Sequence, residues 1–324
     1  MWLFHKSKYE FIGLRRKAYL FSAIVLVLGV SGMVLNMVRG GSPGDWQNYG
    51  VDFTGGVLVQ VRFNEDTDDS QLRTALGGVD APPITRFGGE NEFVVRAPVD
   101  EGTDIDQVAA DIASQVAAAY GEDAFEIVRR ESVGAKIGEE LQGQAALAIL
   151  FSFFLTLCYI AIRFEIRFGV AAIIATAHDI MITLGLLALF RVEISLPTVA
   201  AILTILGYSL NDTIVVFDRI RENLNRRGGR REDPYRLVNR SINETLPRTV
   251  LTSGTTLAVL MSLLILGGAV LRDFTMVLIL GVLIGTYSSI FIASPALLEI
   301  QKRYGTADPR EKERKRAARR AAAV

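Results

Sequence analysis

Two aspartates sit inside long apolar runs of this sequence, where an ionisable side chain is costly and rarely idle. Asp179 lies near the middle of IIATAHDIMITLG, and Asp212 lies in GYSLNDTIVVFDRIREN, residues 207–223, ahead of the charged exit at Asp218 and Arg219. An ionised carboxylate at the centre of a bilayer costs about 2.5–3.5 kcal/mol on insertion scales, so such groups are paired, protonated or wetted, and they mark ion or proton paths. Spacing supplies neighbours: Thr176 and Thr183 lie three and four residues from Asp179, and Tyr208 and Ser209 lie one turn before Asp212. LPRTVLTSGTTL adds Arg248 at the start of the next apolar run, with Thr252, Thr255 and Thr256 on about the same helical face. Asp212, Arg248 and Asp179 therefore form a candidate proton path, and Asn211, Thr252, Thr255 and Thr256 its supporting polar face. Carboxylates poised between burial and a nearby cation titrate as a coupled unit whose state follows geometry, so small helix shifts would load or release a proton. The static reading of the same residues is a buried ion pair, with Arg248 reaching to the interface and the threonines bonding their own helix's carbonyls. His178, beside Asp179, reads either as a relay or as a packed neutral side chain.

Such groups need a membrane-embedded bundle around them. The chain has 324 residues, 50% of them hydrophobic, and a mean hydropathy of +0.31, which is oilier than a soluble domain. Six apolar stretches are long enough to cross a hydrocarbon layer that needs roughly 20 helical residues: 18–38, 143–162, 168–190, 195–217, 249–268 and 274–298. The first follows LRRK without a convincing cleavage site and reads as an uncleaved anchor. Lysines and arginines total 35, as do aspartates and glutamates, but the basic residues cluster. They precede the first span (Lys6, Lys8, Arg15, Arg16, Lys17), separate the second from the third (Arg163, Arg167) and the fourth from the fifth, and follow the sixth from Lys302 onward. The positive-inside rule then places both termini in the cytoplasm. The expected order is a cytoplasmic N-terminus (1–17), a first transmembrane helix (18–38), an extracytoplasmic domain (39–142), transmembrane helices two to six (143–298) and a basic cytoplasmic tail (299–324). Cys158 is the only cysteine, so no intrachain disulfide forms.

Residues 39–142 have ordinary soluble composition. VLVQVRF, ITRFG, EFVVRAP and FEIVRRESV read as strands, the second and third joined by a Gly-Gly-Glu-Asn turn. DDSQLRTAL reads as a short capped helix, and TDIDQVAADIASQVAAAY as an amphipathic helix capped by Thr103 or Asp104. The order β-α-β-β-α-β predicts a ferredoxin-like α+β domain. It offers no metal-ligand cluster, nucleophile-base set or phosphate loop, so neither enzymatic chemistry nor a metal or cofactor is expected of it, and an interaction or lever role is. NYGVDFTGG joins this domain to the first span: Gly50, Asp52, Gly55 and Gly56 read as a turn with a bulge or as a hinge. Further on, Asp233-Pro234 suits a helix start and makes YRLVNRSINETL a short surface helix ending near Pro247. Asp218 and Arg221, one turn apart, suit a charge-laddered helix end.

GVDFTGG, the AHD of the third span, GYSLNDTIVVFDRIREN and ETLPRTVLTSGTTL, in this order around a six-span pattern, resemble the SecF family, the smaller subunits of the SecDF protein-export factor in the resistance-nodulation-division superfamily. The resemblance covers nearly the whole chain. It implies an α-helical polytopic protein of the inner (cytoplasmic) membrane, half of a resistance-nodulation-division-type bundle. It further implies a role in Sec-dependent protein translocation driven by the proton-motive force, with Asp212 as the family's proton-path aspartate and Arg248 as its arginine. The implied partners are a SecD-like six-span subunit, which would supply a further aspartate, the Sec translocon channel and the preprotein, and not nucleic acid. Independently of the family, one six-span unit offers half of a paired-repeat ion site, so a second body should complete it. Gly281, Gly285 and Ser288 in the last span offer close helix packing, to that body or within the chain. Three other readings remain: a non-energised translocon scaffold, a half-transporter for a small molecule, and an intramembrane aspartyl protease using Asp179 and Asp212.

Overall fold

The computed structural model describes residues 8–41, 44–78, 81–86, 91–99, 103–226, 229 and 232–304. Lys6, most of the Gly-Gly-Glu-Asn turn and the basic tail from residue 305 lie outside them.

In chain order the elements are α1 (Arg15–Gly40), β1 (Asn48–Tyr49), α2 (Val51–Thr54), β2 (Gly56–Phe63), α3 (Asp69–Ala75), β3 (Ile84–Arg86), β4 (Glu92–Ala97), α4 (Ile105–Tyr120), β5 (Phe125–Val133), α5 (Ala135–Arg163), α6 (Ile166–Phe190), β6 (Glu193–Ile194), α7 (Leu196–Asn225), α8 (Pro234–Leu266), α9 (Gly268–Ser288) and α10 (Ser294–Tyr304). A π-helical turn, Ser289–Ala293, joins α9 to α10, so the last membrane helix runs on with one widened turn. Among the described residues six helices are long and apolar enough to cross a membrane.

Strands β2 to β5 form one antiparallel sheet in the order β3-β4-β2-β5. With α3 and α4 as crossovers this is the ferredoxin-like arrangement expected from the strand and helix order. Val57, Val59, Val61 and Phe63 of β2 pack with Phe93 and Val95 of β4 against Leu72 of α3 and Ala109, Ile112 and Val116 of α4. The Asp104 carboxylate caps α4, accepting from the backbone N–H of Asp106 and Gln107 at 3.1 and 3.2 Å.

Several helices run beyond their oily cores. The fifth membrane helix begins at Pro234, with Asp233 as its N-cap, and absorbs YRLVNRSINETL into one continuous helix. Leu237, Val238, Ser241, Ile242, Thr245 and Leu246 of that stretch are buried, so it is not a surface helix. Pro247 lies inside the helix without ending it; in a membrane bundle, packing against neighbouring helices offsets the lost N–H bond.

Small residues set the helix spacing. On α1 the buried positions are Ala18, Ser22, Gly29 and Gly32. A Cβ at Gly29 would stand 2.7 Å from the Cα of Gly185, and one at Gly32 2.9 Å from the Cα of Leu189, so α1 and α6 pack in parallel with backbones nearly touching. The α7–α9 pair is built the same way: Gly281 faces Ile205, and a Cβ at Gly285 would stand 2.9 Å from the Cβ of Ser209. The small residues of the last span therefore serve packing within the chain.

Candidate functional site

Where α6, α7, α8, α9 and α1 meet, buried polar side chains collect. Asp179 is 1% exposed and Asp212 2%. Asp179 is held from two sides. Its Oδ1 lies 2.9 Å from His178 Nδ1, and the Ser209 hydroxyl of α7 donates to its Oδ2. Fully buried Ser288 of α9 faces the same carboxyl. Since Ser209 is one turn from Asp212, α7 carries both a ligand of one carboxyl and the other carboxyl itself.

Asp212 is loosely held. Its hydrogen-bond partner is Ser253 of α8, whose hydroxyl stands 3.5 Å from Oδ2 and also lies 2.7 Å from the Thr286 hydroxyl of α9. Arg248 is exposed on α8, and no ion pair within 4.0 Å joins it to Asp212, although its charge reaches that carboxyl through space. The expected close counter-charge is thus displaced toward the helix surface. The supporting polar face is also differently arranged. Asn211 is exposed while its neighbour Asp212 is buried. Thr252, Thr255 and Thr256 donate to the carbonyls of Arg248, Leu251 and Thr252, and Thr256 also accepts from Tyr208 at 3.4 Å. Thr176 and Thr183 likewise donate to Ala172 and Asp179 carbonyls. These threonines satisfy backbone, whereas Ser253, between two of them, reaches the carboxylate. The sequence signal for Ser253 is weak, because hydroxyls at four nearby positions look equivalent until the rotation of α8 is known.

Asp179 and Asp212 do not share a hydrogen bond among the described residues, and each has its own partners. This is not the facing pair that an aspartyl protease requires. Charges at the end of α7 pair both across helices and along it, with Asp218 meeting Arg163 at 3.7 Å and not Arg221, and Arg219 meeting Glu244 at 2.6 Å. Arg219 also meets Glu222 on its own helix at 2.6 Å.

The GVDFTGG segment forms a packed joint. Residues 51–54 make one helical turn, α2, between Gly50 and Gly55. The Asp52 carboxylate accepts from Leu196 N at 2.8 Å and so ties the joint to the first turn of α7. Strands β1 and β6 pair in parallel, and Gly50 N donates to Ile194 O at 2.9 Å. Gly55 (φ 71°) and Gly56 (φ 120°) adopt angles that side-chain-bearing residues avoid. At Gly55 a Cβ would stand 2.6 Å from the Cα of Ala135, the first residue of α5. Beside the joint, Arg96 of β4 reaches Glu193 of β6 at 2.6 Å. Glu193 is 4% exposed and borders a cleft of about 470 Å³ between sheet domain and bundle, also lined by Arg191, Arg272 and Asp273.

Comparison with known proteins places this arrangement. The family described as protein export membrane protein SecD/SecF, C-terminal, matches residues 112–303, and the SecD/SecF GG motif matches residues 48–67, which include the joint. The protein translocase subunit SecF of Gemmatimonas aurantiaca is 42% identical over 94% of this chain and 91% of its own length. That of Escherichia coli O157:H7 is 38% identical over 91% of this chain and 88% of its own length. The crystal structure of SecDF from Thermus thermophilus, a translocon-associated membrane protein, superposes with a TM-score of 0.77 at 38% identity. The match covers 93% of this chain but 40% of that longer one. Carried by matches that run almost end to end, and by a joint and a bundle that both fall inside the matched segments, the chain belongs to the SecF family of protein translocase subunits.

Proposed function

We propose that this chain acts as the SecF half of a paired SecD–SecF assembly in the inner membrane, assisting Sec-dependent translocation of preproteins at the expense of the proton-motive force, with Asp212 as the proton carrier and Arg248 as its modulating charge. The observation that carries this reading is the looseness of Asp212: a buried carboxyl with one long hydrogen bond and no ion pair is not the static salt bridge of a structural network. Asp179, by contrast, sits in a filled hydrogen-bond shell.

The need for a partner follows from α8. Exposed Arg248 and Thr255, with half-buried Thr252 between them, form a polar row along it, flanked by exposed Leu251 and Val259. A polar row on a lipid-facing helix is costly, and a second bundle packed over it would enclose the row and bring a further carboxylate to Asp212. One charge crossing the field yields about 2.3 kcal/mol per 100 mV, enough to bias a two-state helix arrangement and too little to pull a long polypeptide in one step, so the cycle must repeat. The joint would carry each shift outward, because α2 is bonded to the start of α7 and packed on the start of α5. Lys8, Arg15, Arg167 and Lys302 gather at the bundle end opposite the sheet domain, which supports cytoplasmic termini and an extracytoplasmic sheet domain.

The test is proton-gradient-dependent preprotein translocation into vesicles holding the purified complex. Asp212→Asn should leave assembly intact and abolish the gradient-dependent component. Undiminished gradient-driven export by that variant would reject the assignment and leave the scaffold reading.

A further inference from the structure

A second chain of polar groups leads away from Asp179 on the side opposite Ser209. His178 Nε2 lies 3.0 Å from the Ser22 hydroxyl of α1. That hydroxyl lies 3.0 Å from the Tyr287 hydroxyl of α9, and Tyr287 has a second acceptor, the Ala18 carbonyl of α1, at 2.8 Å. The imidazole is 8% exposed and stacks against the Tyr287 ring at a centroid distance of 6.4 Å. The close α1–α6 packing at Gly29 and Gly185 sets this geometry, since Ser22 and His178 lie seven residues earlier on the same two helices.

Each hydroxyl has one hydrogen, so the chain admits two consistent directions. With Tyr287 donating to the Ala18 carbonyl, Ser22 donates to Tyr287 and His178 Nε2–H donates to Ser22. The Nδ1···Oδ1 contact must then hold a proton of its own, on the carboxyl or on the ring. With the Tyr287 hydroxyl turned away from the Ala18 carbonyl to donate to Ser22, Ser22 donates to a bare Nε2, and Nδ1–H donates to an ionised Asp179. The two directions differ by one proton.

From this pair of directions we infer that Tyr287, Ser22 and His178 form a proton relay serving Asp179, a second protonatable centre beside Asp212. Its step is balanced. The proton at Asp179 passes to Nδ1, that on Nε2 to Ser22 Oγ, that on Ser22 to Tyr287 Oη, and the original Tyr287 proton leaves to water at the half-exposed ring edge. Uptake reverses every transfer. The titratable groups facing the pair are Tyr287 from α9 and, one turn beyond Ser209 on α7, Asp212; α1 contributes the Ser22 hydroxyl. Among the described residues no cation besides His178 lies within 4.0 Å of the Asp179 carboxyl, and no ion pair reaches it from α5, α8 or α10.

The inference deepens the proton-driven reading but is tested without export. The chain has two histidines, His5 and His178, so 15N-histidine NMR of the full chain in lipid bilayers, assigned with His178→Asn, reads the ring directly. Raising the pH should convert Nε2 of His178 from protonated to bare and leave the ring's one proton on Nδ1. In Tyr287→Phe, Ser22 loses the hydroxyl with which it exchanges hydrogen-bond direction, so the conversion of Nε2 over the wild-type pH range should be lost. Ser22→Thr keeps the hydroxyl and should restore the wild-type conversion, whereas Ser22→Ala should not; helix content by circular dichroism identifies a misfolded variant. A wild-type ring in one state at every pH, or a Tyr287→Phe ring that converts as wild type does, would overturn the relay. Either result leaves the Asp212 export test standing.

Discussion

Removing Arg96 should harm this protein far more than neutralising the residue it pairs with. Arg96 donates to Glu193 Oε2 at 2.6 Å and is the hydrogen-bond partner of that carboxylate; the other oxygen, Oε1, is buried with none. Arg96→Ala therefore leaves a 4% exposed carboxylate without its direct partner. Breaking a buried pair in this way costs roughly 3–5 kcal/mol. The lower end, about 3 kcal/mol, applies because Arg129 of β5 also acts on Glu193 through space and remains. Glu193→Gln instead leaves Arg96, whose side chain is 23% exposed, to be hydrated, and should cost about 1 kcal/mol. The double variant should match Glu193→Gln alone, giving a coupling of about 3 kcal/mol in the cycle. Trp46 reports the transition, because its ring lies 6.3 Å from that of Tyr49, which pairs with Ile194 beside Glu193. Denaturant unfolding in lipid nanodiscs, followed by Trp46 fluorescence in a Trp2→Phe background, measures all four corners. If Arg96→Ala costs no more than Glu193→Gln, the buried carboxylate is not what anchors the sheet domain to the bundle.

Three further outcomes follow from the packing and from the joint. Gly29→Ala puts a Cβ 2.7 Å from Gly185 Cα where carbon atoms prefer about 3.5–4.0 Å; it should separate α1 from α6 by about 1 Å at a cost of roughly 1–3 kcal/mol in thermal unfolding. Gly143→Ala, with nothing within 4 Å of its Cβ, should be neutral or slightly stabilising in the same assay. Asp52→Ala should speed amide hydrogen exchange at Leu196 and destabilise the joint by about 1 kcal/mol, with Asp52→Asn retaining most of the protection.

The residue pattern by itself determined the six membrane helices, the β-α-β-β-α-β order of the sheet domain and the two intramembrane aspartates, because hydropathy runs and the periods of 2 and 3.6 are local properties of the chain. It also pointed to a helix start at Asp233-Pro234 and to Thr103 or Asp104 as a cap, of which Asp104 caps α4, since a cap bonds within its own first turn. Helix ends were less legible: nothing local distinguishes a surface helix from the buried start of α8, whose Leu237 and Ile242 are enclosed only by other helices. Only the tertiary structure decided the partners of the buried groups. Ser253 rather than Thr252, Thr255 or Thr256 meets Asp212, Arg248 stands off it, and Ser22 and Tyr287, 265 residues apart, meet beside His178. Those choices depend on the rotation and register of one helix against another. Here they are set by backbone contact at glycines such as Gly29 and Gly185, a close approach that no single helix's pattern contains.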